Sequence, residues 1–135
     1  MKSKQTKLAC GLSCRVEKVV PFDWTIAHYN AKLPPVLSTP AMIGMMEVAA
    51  AKAIQPALAP GAISVGTRIE VDHLKAVPAG ATVSASARLT AINGRFLEFE
   101  VEASSGGHVI GRGKVFRAVV EPQKFHAKAT THARK

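Results

Sequence analysis

The chain has 135 residues, 47% of them apolar and 20% charged, with a formal net charge of +9. That length suits one domain with a real hydrophobic core. No apolar stretch approaches the roughly 18 residues that a bilayer span needs, so no membrane partner is expected. The first 14 residues carry lysines but no adequate apolar stretch for a signal peptide, and a cytoplasmic location is expected. The charge is uneven. Lys2, Lys4 and Lys7 lie at one end, and Lys124, Lys128, Arg134 and Lys135 lie at the other against Glu121. Without these ends, 11 basic and 8 acidic residues remain, a net of +3. Aromatic residues make up only 5% and form no platform with the basic ones, so no nucleic-acid partner is expected. The chain is read as a basic N-terminal tail over 1–7, one domain over 8–120 and a basic C-terminal tail over 121–135.

In chain order, residues 8–20 mix Leu8, Leu12, Val16, Val19 and Val20 with polar residues and predict a first strand. Cys10 and Cys14 fall on it. Four residues of strand separate their Cα atoms by roughly 13 Å, too far for a disulfide. They read as free thiols, and no His or Cys cluster completes a metal site. Residues 21–35 are irregular. A helix follows, with Thr39 as the expected N-cap and Pro40 at its first position. Met42, Met46, Ala49, Ala50 and Ala53 recur at helical steps, and Pro56, Pro60 and Gly61 close the segment. The helix is apolar almost all round, which predicts burial.

Strands follow the helix. Ile63, Val65, Thr67, Ile69 and Val71 alternate with polar residues, so odd positions, His73 included, are expected on one face. Val83 to Leu89 alternate in the same way, Asn93-Gly94 marks a hairpin, and Leu97, Phe99 and Val101 form the next strand. Ser104 to Gly107 make a second turn, and 108–120 form the last strand. One buried helix with about five mainly antiparallel strands is an α+β domain with its sheet wrapped on the helix.

Three polar residues stand out against this apolar pattern: Thr39 at the helix start, Glu47 as the only carboxylate within the helix, and His73 at the end of a strand. Each has a plain structural role open to it, as a cap, an ion-paired acid and a satisfied core histidine. Together a hydroxyl, a carboxylate and an imidazole against an apolar wall suit acyl transfer. An unpaired buried carboxylate is costly, which makes Glu47 the hardest to read as merely structural. Eight residues of helix rise about 12 Å. A Thr39 that caps the helix therefore cannot touch Glu47 of the same straight helix, unless its loop folds back. Otherwise the partners come from different subunits.

The run Thr39-Pro-Ala-Met-Ile-Gly-Met-Met-Glu47, then Val65-Gly-Thr-Arg-Ile-Glu-Val-Asp-His73 and Pro78-Ala-Gly80, resembles the hotdog-fold thioesterases, and most of all the fluoroacetyl-CoA thioesterase type. The resemblance spans about residues 10–120. It implies the hotdog fold and the hydrolysis of an acyl-CoA, with coenzyme A entering only as part of the substrate and no separate cofactor. It also implies a homodimer, or a tetramer of paired dimers, with sites at the subunit interface. Thr39, Glu47 and His73 take the catalytic positions. Gly66 and Arg117 take pocket positions, and Leu33, Ile43 and Met46 are candidates to line the acyl group. The fluoroacetyl type has phenylalanines before the helix, where this chain has Asn30 and Leu33 and no Phe between 25 and 42. Selectivity for fluoroacetate is therefore not expected. The alternative functions are a hotdog protein that binds acyl-CoA without catalysis and a small basic nucleic-acid-associated domain.

Overall fold

The structure is a computed structural model and describes residues 7–133. The outer parts of both expected tails, 1–6 and 134–135, lie outside the described residues. Five strands, β1 (Ser13–Val19), β2 (Ile63–His73), β3 (Thr82–Asn93), β4 (Phe96–Ser105) and β5 (His108–Val120), form one antiparallel sheet in the order β1-β3-β4-β5-β2. The helix α1 (Thr39–Ile54) lies across its concave face, as the apolar periodicity predicted. Met42, Met46, Ala49, Ala50 and Ile54 of α1 are fully buried against Val83, Ala85, Leu89, Phe99 and Val115 of the sheet. Burying such side chains contributes on the order of 1.5–3 kcal/mol each, which holds helix and sheet together. The opposite side of α1 is not covered within the protomer. Gly44 is exposed, and Val48 is 46% exposed.

The hairpins follow from their glycines. Asn93 pairs with Phe96, so the two-residue β3–β4 loop is Gly94-Arg95, one residue later than the Asn93-Gly94 pair suggested. Gly94 takes φ +60°, as the first central position of a II′ turn requires. Cys10 lies in a turn before β1, and both cysteines are free. The segment read as a basic C-terminal tail contains a helix, α2 (Pro122–Ala133), exposed over most of residues 123–131. No described helix is long and apolar enough to cross a membrane.

One irregularity matters most for the site. The β2–β5 register shifts between Gly66 and Arg68, so Thr67 is an extra residue in β2, a β-bulge. The expectation that all odd residues of β2 share a face therefore fails. Ile69, Val71 and His73 pair with Val115, Gly113 and Gly111 on the helix side, whereas Ile63 and Val65 pair with Val120 and Ala118 on the other. Gly66 and His73 are seven residues apart and would point to opposite faces of a regular strand. The bulge brings both to face α1.

Candidate active site

The start of α1 is built differently from the expected cap. Ser38 is the N-cap, and its side chain accepts the Ala41 N–H at 3.2 Å. Thr39 is the first helical residue. Relieved of capping, its hydroxyl meets the imidazole at the end of β2, with Thr39 Oγ1 2.7 Å from His73 Nδ1. The two residues line a cavity of about 280 Å³ with Ile26, Val36, Leu37, Leu74, Lys75 and Ala76. The other ring nitrogen, His73 Nε2, is buried and has no hydrogen-bond partner among the described residues.

Two turns along the helix, Glu47 forms a second polar pair. Its Oε2 lies 3.0 Å from a terminal nitrogen of Arg117, on β5. The carboxylate is thus ion-paired, not isolated on an apolar wall. Arg117 is 7% exposed and is anchored in turn by Ser64, whose hydroxyl accepts from Nε and whose carbonyl accepts from the second terminal nitrogen, both at 2.8 Å. Gly66, two residues on from Ser64, is a glycine because of space. A Cβ there would fall inside contact distance of Glu47 Oε2. The second oxygen, Glu47 Oε1, is buried and unpartnered among the described residues.

Thr39, Ile43 and Glu47 recur every four residues, so they lie in one row along α1. Ile43, half-buried, separates the Thr39–His73 pair from the Glu47–Arg117 pair. The pairs are about 12 Å apart along the helix axis, and no contact joins them within the protomer. The loop does not fold back to bring Thr39 onto Glu47. Met46 is 0% exposed and belongs to the hydrophobic core, so it packs the fold and does not open onto the cavity. Leu33 is 41% exposed on the loop before α1, outside the residues that line the cavity. Sequence reasoning did not single out Ser64. Its signal is weak, since a serine on the helix-facing side of β2 stands out only once the bulge has set which residues face α1.

Residues 20–123 match the model of the fluoroacetyl-CoA-specific thioesterase family. The chain belongs to that family. Its members are thioester hydrolases, and this chain is one by descent and by fold. It is 41% identical over 116 residues to the fluoroacetyl-CoA thioesterase of Streptantibioticus cattleyicolor, covering 82% of this chain and 84% of that one. The solved structure of the fluoroacetyl-CoA thioesterase FlK superimposes with a TM-score of 0.87 at 37% identity, over 93% of this chain and 98% of that chain. A variant of FlK solved with acetyl-CoA gives the same TM-score and coverage. A thioesterase superfamily member from Thermus thermophilus is 26% identical with a TM-score of 0.85, over 98% of this chain and 96% of that chain. The hotdog fold that the resemblance implied is the fold of the family.

Proposed function

We propose that the protein hydrolyses short acyl-CoA thioesters at sites shared between two copies of the chain. The observation that carries the reading is Glu47, with one carboxylate oxygen held by Arg117 and admitted by Gly66, and the other buried without a hydrogen-bond partner among the described residues. FlK, at 37% identity, has been solved as a variant bound to acetyl-CoA, which supports an acyl-CoA substrate.

The chemistry follows from these atoms. Oε1 of Glu47 attacks the thioester carbonyl, or takes a proton from the water that does. The new C–O bond forms a tetrahedral adduct, whose collapse breaks the C–S bond and expels the thiolate of coenzyme A. After attack by water this leaves the free acid; after direct attack it leaves an acyl–Glu47 anhydride that a water then cleaves, releasing the acid and regenerating the carboxylate. The adduct oxygen carries the developing negative charge, which suits backbone N–H groups at a helix start. Thr39 and His73 share a hydrogen bond at 2.7 Å, which leaves His73 Nε2 free to pass a proton to the departing sulfur.

The two polar pairs must then meet at one thioester, yet they stand about 12 Å apart along α1. A second copy resolves this. β2 is an edge strand of 11 residues, with β5 on one side only. Unpaired edges of that length are templates for another strand. An antiparallel β2–β2 pair across a two-fold axis brings Gly66 and Glu47 of one protomer beside the partner's Thr39 and the partner's His73.

The test is thiol release from acetyl-CoA. Glu47→Gln is expected to lower kcat by at least about two orders of magnitude, the scale of a positioned base or nucleophile. A folded Glu47→Gln protein with full turnover would remove Glu47 from the mechanism. Single turnover in ¹⁸O water followed by mass spectrometry of the Glu47 peptide tests the direct route, because label enters the carboxylate only when water opens an acyl–Glu47 anhydride at the Glu47 carbonyl.

A further inference from the structure

We infer that Ser64 is a positioning residue for the Glu47 carboxylate, acting through Arg117; the inference rests on the reading of Glu47 given above. Arg117 has three contacts on two targets. One terminal nitrogen meets Glu47 Oε2 at 3.0 Å, while Nε and the other terminal nitrogen both go to Ser64, to its hydroxyl and its carbonyl, at 2.8 Å each. A guanidinium is planar, with its donors in a fixed fork. Two bonds to one residue therefore set the plane of the group, and the plane sets where the third nitrogen points.

Burial makes that restraint count. Ser64 is 9% exposed and Arg117 is 7% exposed, so little water is available to replace a lost acceptor. Ser64 and Gly66 lie two apart on the helix-facing side of β2, both ahead of the bulge at Thr67. One short stretch of strand thus does two things. Gly66 leaves room for the carboxylate, and Ser64 orients the cation that holds it. Without the hydroxyl, the carbonyl of Ser64 remains as a single acceptor. The guanidinium can then swing about that bond and Glu47 Oε2 loses its fixed partner, which leaves the free Oε1 misdirected. Misplacing a reacting group affects the chemical step more than the binding of substrate.

The experiment compares Ser64→Thr with Ser64→Val, two β-branched side chains of similar shape that differ in one hydroxyl. Wild-type hydrolysis of acetyl-CoA and its loss in Glu47→Gln are measured first, so that failure of the Glu47 reading is seen separately. Ser64→Thr is expected to keep kcat near wild type. Ser64→Val is expected to lower kcat by roughly tenfold, the scale of one lost hydrogen bond to a charged group, with KM within about twofold. In an Arg117→Met background the Thr and Val variants are expected to turn over equally, because a residue acting through Arg117 has nothing left to act on. Equal kcat for the Thr and Val variants with Arg117 present overturns the proposal. So does a change confined to KM, or a Ser64→Val effect that persists in full without Arg117.

Discussion

At the scale of single residues, the site is a matter of which atoms are engaged and which are left free. Glu47 has one oxygen in an ion pair and one without a partner among the described residues. Gly66 makes that arrangement possible, because any side chain there would collide with Oε2. Gly66→Ala is therefore expected to displace the carboxylate and lower kcat for acetyl-CoA by at least about tenfold, while its backbone angles, which are ordinary, cost nothing. An active Gly66→Ala enzyme with wild-type kcat would show that Glu47 does not work from its observed position. Selectivity is decided at the same scale. Residues 25–38 ahead of α1 lack phenylalanine, and the cavity beside Thr39 and His73 is walled by Ile26, Val36, Leu37 and Leu74. Aliphatic walls of this kind discriminate by about 1–3 kcal/mol per methylene. The ratio of kcat/KM for fluoroacetyl-CoA and acetyl-CoA is expected to stay within about two orders of magnitude. A much larger preference for the fluorinated ester, measured on the same preparation, would mean that other residues rebuild an aromatic lid's function.

At the scale of elements, two local events position the chemistry. The first is the start of α1. Because Ser38 caps the helix, Thr39 is released to meet His73. The two neighbours should then separate cleanly on mutation. Ser38→Ala is expected to cost about 1 kcal/mol of stability, lowering Tm by a few degrees. Thr39→Ala is expected to leave Tm almost unchanged and to reduce turnover. Calorimetry and thiol release on both variants check this, and the reverse pattern would restore Thr39 to the role of a cap. The second event is the bulge at Thr67, which lets Gly66 and His73 face the same helix from one strand. Bulges recur beside active sites because they re-aim side chains without ending the strand.

At the scale of the whole molecule, the proposed site joins the two polar pairs across two copies of the chain. The proposed dimer makes a sharp prediction. Mixing Glu47→Gln and His73→Ala proteins under conditions of subunit exchange should yield hybrids in which one of the two interfacial sites is intact. Random exchange is expected to restore about a quarter of wild-type activity from two nearly inactive parents. If Glu47 and His73 of the same chain served one site, every hybrid site would carry a lesion and no activity would return. Sedimentation of the wild type at micromolar concentration should accordingly show a dimer, with an active monomer as the contrary result. The uncovered side of α1, with Gly44 and Val48, lies away from the β2 seam and is not needed for this pairing.

The sequence by itself determined the class of the fold, the order of helix and strands, and the identity of the three polar residues. These follow from local rules. Periods of two and of three to four separate strand from helix, glycines mark the hairpins, and a hydroxyl, a carboxylate and an imidazole are conspicuous among apolar neighbours. Arg117 was legible through resemblance to the family, but its ion pair with Glu47 was not, because the two are 70 positions apart in the chain and only the sheet order brings β5 beside β2. The cap was misassigned by one residue because Ser38 and Thr39 are both good caps, and only the tertiary partner His73 decides which of them is spared. Alternation placed Ile69, Val71 and His73 on one face but could not give the facing of β2 ahead of the bulge. An extra residue shifts every side chain beyond it to the other face, and the bulge is defined by its pairing with β5. Composition and spacing are properties of neighbours in sequence. The clamp of Ser64 on Arg117 and the separation of the two polar pairs are properties of neighbours in space, and those were decided only when the sheet closed over α1.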